Sequence, residues 1–388
     1  MKTAFALVRG TLAWGLICIL VAGLIPQKSA AKPGKVVLVQ KSQGMPFQVE
    51  QMASGLGVPW GMAFLNRSEI IFTQRSGRIG ILDLDKGRIL LLKGDFPRVK
   101  RGGQGGMLDV AVPNDYRAGD WIYFTYSKDV GGKGATTLAR AKRKGDRLQD
   151  WRDLLVTRSA TDKRIHFGSR IAFDGMGHVY FTVGDRGVRP NAQDLSTHAG
   201  SVLRVNLDGT VPEDNPFLTT PGVLPEIYSF GHRNPQGIVF DTSSKRLWAI
   251  EHGPRGGDEI NRILPGRNYG WPVISYGKEY WGPVQVGEGT HKKGMEQPLK
   301  IYDPSIAPGS LLLYRGNAFP GWQGNLISGA LKLEHLNRLA VDAQGKIGPE
   351  ERLLQDLELR IRALVQSPEG WVYFSSDSGG IFRLRPVN

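Results

Sequence analysis

An all-β fold, a six-bladed β-propeller with its active-site loops on the top face, is predicted by three observations. One phrase, two β-rich runs joined by a turn of Asp, Asn, Pro or Gly, recurs six times between Trp60 and Arg362, at intervals of about 60 residues. Apolar spacing of the helical kind is nearly absent. Gly 51 and Pro 23 in 388 residues suit many turns and oppose long helices. A β-sandwich could be built from similar hairpins, but it rarely needs six copies of one phrase.

The copies follow in order. WGMAFLNRSEIIFTQ starts at Trp60, LDVAVPNDYRAGDWIYFTYS at Leu108, RIAFDGMGHVYFTVGD at Arg170 and GIVFDTSSKRLWAIEHG at Gly237. The phrase is looser in SLLLYRGNAFPGWQGNLISGAL from Ser310 and clear again in RALVQSPEGWVYFSSDSGGIFRLRP from Arg362. Each reads as a hairpin that supplies part of one blade. Propeller blades usually take about 40–50 residues, so the excess is expected in loops on one face, within Thr182–Pro235 and Gly253–Pro308. A single propeller domain over residues 35–388, closed by its terminal strands, is the expected organisation.

The N-terminus carries its own signal. Lys2 and Arg9 precede the apolar run GTLAWGLICILVAGLIP, and Ser29-Ala30-Ala31 offers a small-x-small cleavage site. Residues 1–31 are therefore expected to be a signal peptide, with an uncleaved membrane anchor as the alternative. A mature chain beginning at Lys32, found by N-terminal sequencing, would mark an exported protein, periplasmic or secreted, with no stable membrane insertion. Cleavage would remove Cys18, the single cysteine, and also Lys2, Arg9 and Lys28 with no acid, so the net charge falls from +14 to +11. One cysteine excludes a disulfide framework, a Cys-based zinc site and an iron–sulfur cluster. No P-loop, HExxH or GxSxG motif is present. The basic residues are scattered, with short clusters at KRKGDR near Lys142 and HKKG near Lys292, and no nucleic-acid partner is expected.

Several strings are too specific to be composition: GGQGGMLDVAV, HFGSRIAFD, TVGDRG, NAQDLSTHAGSVLRVNLDGTVPEDNPF, GHRNPQG, EHGPRGGDEINRILPGRNYGWP and PSIAP. At these residues the chain resembles the soluble pyrroloquinoline-quinone (PQQ) dependent sugar dehydrogenases. This is the glucose/sorbosone dehydrogenase family, and the likeness is greatest to its aldose sugar dehydrogenase branch. It runs from about Val58 to the C-terminus. The resemblance implies a six-bladed propeller that binds PQQ and calcium in a top-face cleft and oxidises the C1 hydroxyl of aldoses to lactones.

Carried over residue by residue, the resemblance makes His166 in RIHFGSR the general base. Histidine titrates near neutrality and suits the removal of a hydroxyl proton, although it is one of seven here. Asp185 in TVGDRG matches the acid that orients the base; a turn aspartate is the competing reading. Gln104, Arg233 and Asn234 match cofactor contacts, and Lys332 in GALKLEHL matches a lysine placed near the quinone carbonyl. PQQ is a planar tricarboxylate, for which the arginine fork is well shaped. Arg360 and Arg362 alternate in LRIRAL and should share a face. The family commonly has an acid where this chain has Ala363, which puts the role of Arg362 in question.

For calcium, the resemblance implies carbonyl ligands from Gly253 and Pro254, and a second, structural ion at Glu259 and Tyr269. Calcium accepts backbone carbonyls and leaves little side-chain signature. A rim salt bridge is the competing reading of Glu259. Sugar preference is expected to reside in top-face loops such as Tyr276–Gly294, and the electron acceptor is left open. Two alternatives stand beside the dehydrogenase: a calcium-dependent propeller lactonase, and a propeller that binds carbohydrate or protein without catalysis.

Overall fold

An inner propeller strand has a neighbouring blade against each of its faces, so it needs apolar residues on both sides of the pleat. The recurring hairpins supply them. Glu69–Gln74 (EIIFTQ) is buried at every residue but the first, whereas Arg88–Leu91, at the outer edge of the same sheet, is exposed at both ends. The computed structural model describes residues 34–387; the expected signal segment lies outside the described residues. Among these there is no α-helix, only strands in six sheets and three short 3₁₀ turns. No helix among them is long and apolar enough to cross a membrane.

From axis to rim, blade one is Pro59–Phe64, Glu69–Gln74, Ile79–Asp83 and Arg88–Leu91. Blade two is Met107–Ala111, Trp121–Val130, Lys133–Lys144 and Arg147–Val156, with Lys93–Gly94 added at its edge. Blade three is Ile171–Phe173, His178–Val183, Ser201–Asn206 and Ile227–Phe230, and blade four is Pro235–Asp241, Arg246–Glu251, Asp258–Ile263 and Lys300–Tyr302. Blade five is Leu312–Leu313, Leu326–Gly329, Leu336–Val341 and Ile347–Leu353. Blade six takes Ile361–Gln366, Val372–Ser376 and Ile381–Pro386 from the C-terminus and Met45–Ala53 and Lys35–Ser42 from the N-terminus. Each of the first five repeated phrases is thus the innermost pair of one blade, the sixth adds the third strand of its blade, and the first strands of successive blades touch around the whole ring.

The terminal strands close that ring. Met45–Ala53 pairs antiparallel with Ile381–Pro386, from Phe47 opposite Pro386 to Ala53 opposite Ile381. Across the join, buried Glu50 accepts hydrogen bonds from both Arg383 and Arg385, the latter at 2.9 Å. Apolar clusters fill the space between neighbouring blades, such as Ile71, Ile81, Phe124 and Ala139 between blades one and two. Each fully buried large side chain there contributes about 1.5–3 kcal/mol.

In an antiparallel blade, the start of the first strand and the turn between the second and third strands lie at the same end. Gln104, His166, Asn234 and Arg360 fall just before first strands, and Asp185, Gly253-Pro254 and Lys332 fall in second-to-third turns. Topology alone therefore gathers them on one face. Not all of the excess length joins them. Residues 207–226 leave blade three at the opposite end, between Ser201–Asn206 and Ile227–Phe230, so the expectation that the long loops share one face holds only in part.

Candidate active site

The loop that carries His166 is held in backbone conformations that side chains rarely adopt. His166 has φ +56° and Ser169 φ +87°, with Gly168 at +61° between them. Such positions cost about 1–3 kcal/mol each for residues other than glycine and persist only where their surroundings impose them. Here the His166 amide donates to Gln104 Oε1 at 2.7 Å. Opposite, Gly184 comes so close that a Cβ there would lie 2.4 Å from the His166 carbonyl oxygen. The glycine of TVGDRG is what lets the next residue reach the imidazole.

That residue is Asp185. Its Oδ1 lies 2.7 Å from His166 Nδ1 and accepts the Gly187 amide at 2.7 Å, while Oδ2 accepts Trp271 Nε1–H at 2.8 Å. Burial pushes the Asp185 carboxyl up, but the bonds from His166 and Gly187 more than offset it and hold the group below its ordinary range. An ionised carboxylate can only accept, so His166 Nδ1 carries the proton and Nε2 presents its lone pair. His166 itself is held below its ordinary value, first by burial and then by the Arg233 charge, against the opposing pull of Asp185. The pair is a neutral imidazole, oriented from behind, with its basic nitrogen free.

Beside this pair a cavity of about 290 Å³ opens, lined by Gln104, Asn234, Arg75, Arg360, Arg362 and Asp377 among others. Asn234 is buried and its Oδ1 accepts the Gly168 amide at 3.2 Å, tying the GHRNPQG turn to the His166 loop. Arg362 makes two 2.9 Å bonds to Asp377, and Arg360 reaches the same carboxylate at 3.2 Å and the Leu331 carbonyl at 2.5 Å. Both arginines thus reach one carboxylate and share a face as expected, while Ala363 is buried in the apolar cluster between blades six and one. Arg233 backs onto Trp271, its guanidinium carbon 5.3 Å from the ring centroid, and its Nε is buried without a partner. Lys332 is exposed at the rim, with no side-chain partner among the described residues. More cations than carboxylates surround the cavity, which fits a small polycarboxylate.

A smaller pocket adjoins it, lined by Arg233, Gly253, Pro254, Glu251, Glu259 and Tyr269 among others. The structure thus brings together all four residues expected around calcium. The Pro254 carbonyl accepts only a long 3.3 Å bond from Ser305 Oγ. Glu259 is pushed up to about 8, first by burial and then by the neighbouring Glu251 charge, and the nearby Asn261 Oδ1 is buried without a partner. Uncompensated oxygens of this kind suit a hard cation. The Tyr269 hydroxyl is committed to the Arg262 carbonyl at 2.5 Å and the Leu264 amide at 2.9 Å, so only its main-chain oxygen remains to offer. Among the described residues, no three carboxylate, imidazole or thiol side chains converge as a metal cluster.

Sequence reading missed several residues that shape the site. Trp271, in NYGWP, fixes Asp185, and Asp377, in SSDSGG, fixes both arginines. His252, one residue before Gly253, lies in the cavity wall with Nε2 on the Pro308 carbonyl at 2.7 Å; burial holds it down to about 3, so it is neutral. Arg170 lies at the propeller axis beneath the cavity and touches every other blade. It packs 4.0 Å from the Trp60 ring centroid, pairs with Asp109 at 2.9 Å and donates to the carbonyls of Gln236, Gly309 and Arg362. The string RIAFD contains it, but nothing local marks it as axial.

A family model described as Glucose / Sorbosone dehydrogenase matches residues 56–383. The aldose sugar dehydrogenase YliI of Escherichia coli (strain K12) is 36% identical over 348 residues, covering 88% of this chain and 93% of that protein. The structure of the soluble aldose sugar dehydrogenase from Escherichia coli in the apo-form superposes with a TM-score of 0.84 at 34% identity, over 88% of this chain and 100% of that one. The PQQ-bound form of the aldose sugar dehydrogenase from Streptomyces coelicolor gives a TM-score of 0.72 at 25% identity, over 88% and 98% of the two chains. Since the family match begins at the first blade and ends within the strand that closes the last, the likeness covers the ring rather than a fragment, and the chain belongs to the glucose/sorbosone dehydrogenase family of soluble PQQ sugar dehydrogenases.

Proposed function

We propose that this sugar dehydrogenase oxidises the C1 hydroxyl of aldoses to lactones, using PQQ and calcium, with residues 1–31 as an export signal and residues 35–388 as the catalytic domain. The observation that carries the reading is the His166–Asp185 pair, its Nε2 unprotonated beside a cationic cavity. PQQ, when bound, supplies the quinone that accepts the hydride leaving C1. His166 Nε2 takes the hydroxyl proton, and Asp185 keeps Nδ1 protonated and stabilises the imidazolium that forms. Arg233, Arg360 and Arg362, with the amides of Gln104 and Asn234, hold the cofactor carboxylates and carbonyls. Lys332, exposed at the rim, would stabilise negative charge that develops on the cofactor. The carbonyls of Gly253 and Pro254 hold the cofactor calcium, and Glu259 with the Tyr269 main chain holds a second ion.

The decisive experiment is reconstitution. Protein freed of PQQ and metal should gain dye-linked glucose oxidation only when PQQ and calcium are both restored, and NAD should not replace PQQ. Full activity in EDTA-treated, PQQ-free protein would sink the reading.

Arg233→Ala should weaken PQQ binding by about 1.5–3 kcal/mol, one to two powers of ten, because a charge-assisted contact to a carboxylate is lost. Titration followed by tryptophan fluorescence measures this, and much of the activity should return at saturating PQQ. The pH profile offers a separate check. The neutral form of His166 is the active one and its pKa is lowered, so kcat/KM should fall only as pH drops through a value below 6.5. Asp185→Asn removes a group that raises that pKa, so the acid limb should move to still lower pH while the rate drops.

A further inference from the structure

The KRKGDR cluster has no part in the site above, and the structure gives it an unusual setting. It forms the end of the Lys133–Lys144 and Arg147–Val156 hairpin of blade two, on the side of the ring opposite the cavity. The pleat places Arg140, Lys142 and Lys144 on one face. Register sets Arg152 directly opposite Arg140, and Arg147 directly opposite Lys144. Like charges in directly opposed pairs destabilise a sheet, and this face has two such pairs.

Internal compensation is slight. Arg140, Lys142 and Arg152 crowd one ring, that of Trp121, at 4.2, 4.9 and 5.5 Å from its centroid. Such contacts soften the repulsion without neutralising it. Arg140 donates from one Nη to the Leu207 carbonyl at 2.8 Å, but among the described residues none of the five cations forms an ion pair with a carboxylate; Asp146 in the turn is paired with Lys93 at 3.0 Å. Asp208, which feels the Arg140 charge, is occupied by the Thr210 hydroxyl and amide at 2.6 and 2.9 Å. The face spans about 13 Å from Arg140 to Lys144, comparable to a Debye length of about 8–10 Å, so an outside anionic surface would meet the charges almost as a unit.

We propose that this face is an electrostatic docking surface for an acidic phospholipid bilayer. The cations are spread along two strands over about 13 Å instead of converging on one point, so the several headgroups of an anionic surface complement them better than a single anion would. Docking through this end also leaves the mouth of the cavity, at the other end of the ring, open to sugar. The attachment is peripheral and involves no insertion of the propeller.

The test is co-sedimentation of the protein as the cell produces it with vesicles of phosphatidylcholine alone, or with about 30% phosphatidylglycerol, at low and high salt. Retention on pure phosphatidylcholine is subtracted, which removes any contribution from an apolar N-terminus. Wild-type protein should bind the acidic vesicles and be released by salt. The triple variant Arg140→Gln/Lys142→Gln/Arg152→Gln should bind about 100-fold more weakly, near fivefold for each charge. Should loss of packing on Trp121 unfold it, Lys144→Glu/Arg147→Glu changes only exposed residues and should still cost tenfold or more. Equal binding to both vesicle types, or acidic-vesicle binding that both folded variants retain, would overturn the proposal. Retention on heparin with none on acidic vesicles would assign the face to an acidic polysaccharide and overturn it equally.

Discussion

His166→Ala is expected to slow sugar oxidation by about 10²–10⁴-fold, the usual worth of a positioned general base, at saturating PQQ and calcium. The structure makes the expectation specific. Nδ1 is committed to Asp185 and the His166 amide to Gln104 Oε1, so removing the imidazole removes the free Nε2 while the loop keeps its backbone anchor. PQQ affinity, read by fluorescence titration, should be nearly unchanged. Pre-steady-state mixing with sugar should place the defect in the chemical step. A variant rescued by additional PQQ would make His166 a cofactor ligand and refute its role as base. Partial recovery of rate with added imidazole would support that role.

The second large effect concerns stability. Arg170→Met should destabilise the protein by about 3–5 kcal/mol, the cost of breaking a buried pair by removing one partner. Asp109 would be left buried with its charge uncompensated, and the carbonyls of Gln236, Gly309 and Arg362 would lose their donor at the axis. Urea unfolding would show a lower midpoint. Adding Asp109→Leu should recover part of the loss, because replacing both members of a buried pair is far less costly than orphaning one. An unchanged midpoint in the single variant would mean that this contact to every other blade contributes nothing to holding the ring.

The two expectations draw on different levels of the molecule. His166 and Asp185 sit in strings distinctive enough to be read locally, and so do Arg233 and Asn234. The blade count was legible for a physical reason: an inner strand buried on both faces must be apolar on both, so each blade writes its first hairpin as a continuous apolar phrase. Outer strands such as Arg88–Leu91 and Ile347–Leu353 mix exposed and half-buried residues and carry no comparable signal.

By itself, then, the sequence determined the number of blades, the turns at which they fold and the family strings at one end of each sheet, because these depend on burial and turn chemistry within short stretches. Only the tertiary structure decided which groups meet. That Asp377 holds both Arg360 and Arg362, that Trp271 holds Asp185 from a different blade, and that Arg170 stands on the axis all follow from ring closure and antiparallel register. These bring together residues whose separation along the chain has no period, so no local pattern could announce them. The same holds for the stacked cations of blade two. Their scattered charges read as ordinary surface until the register of two strands set them face to face around Trp121.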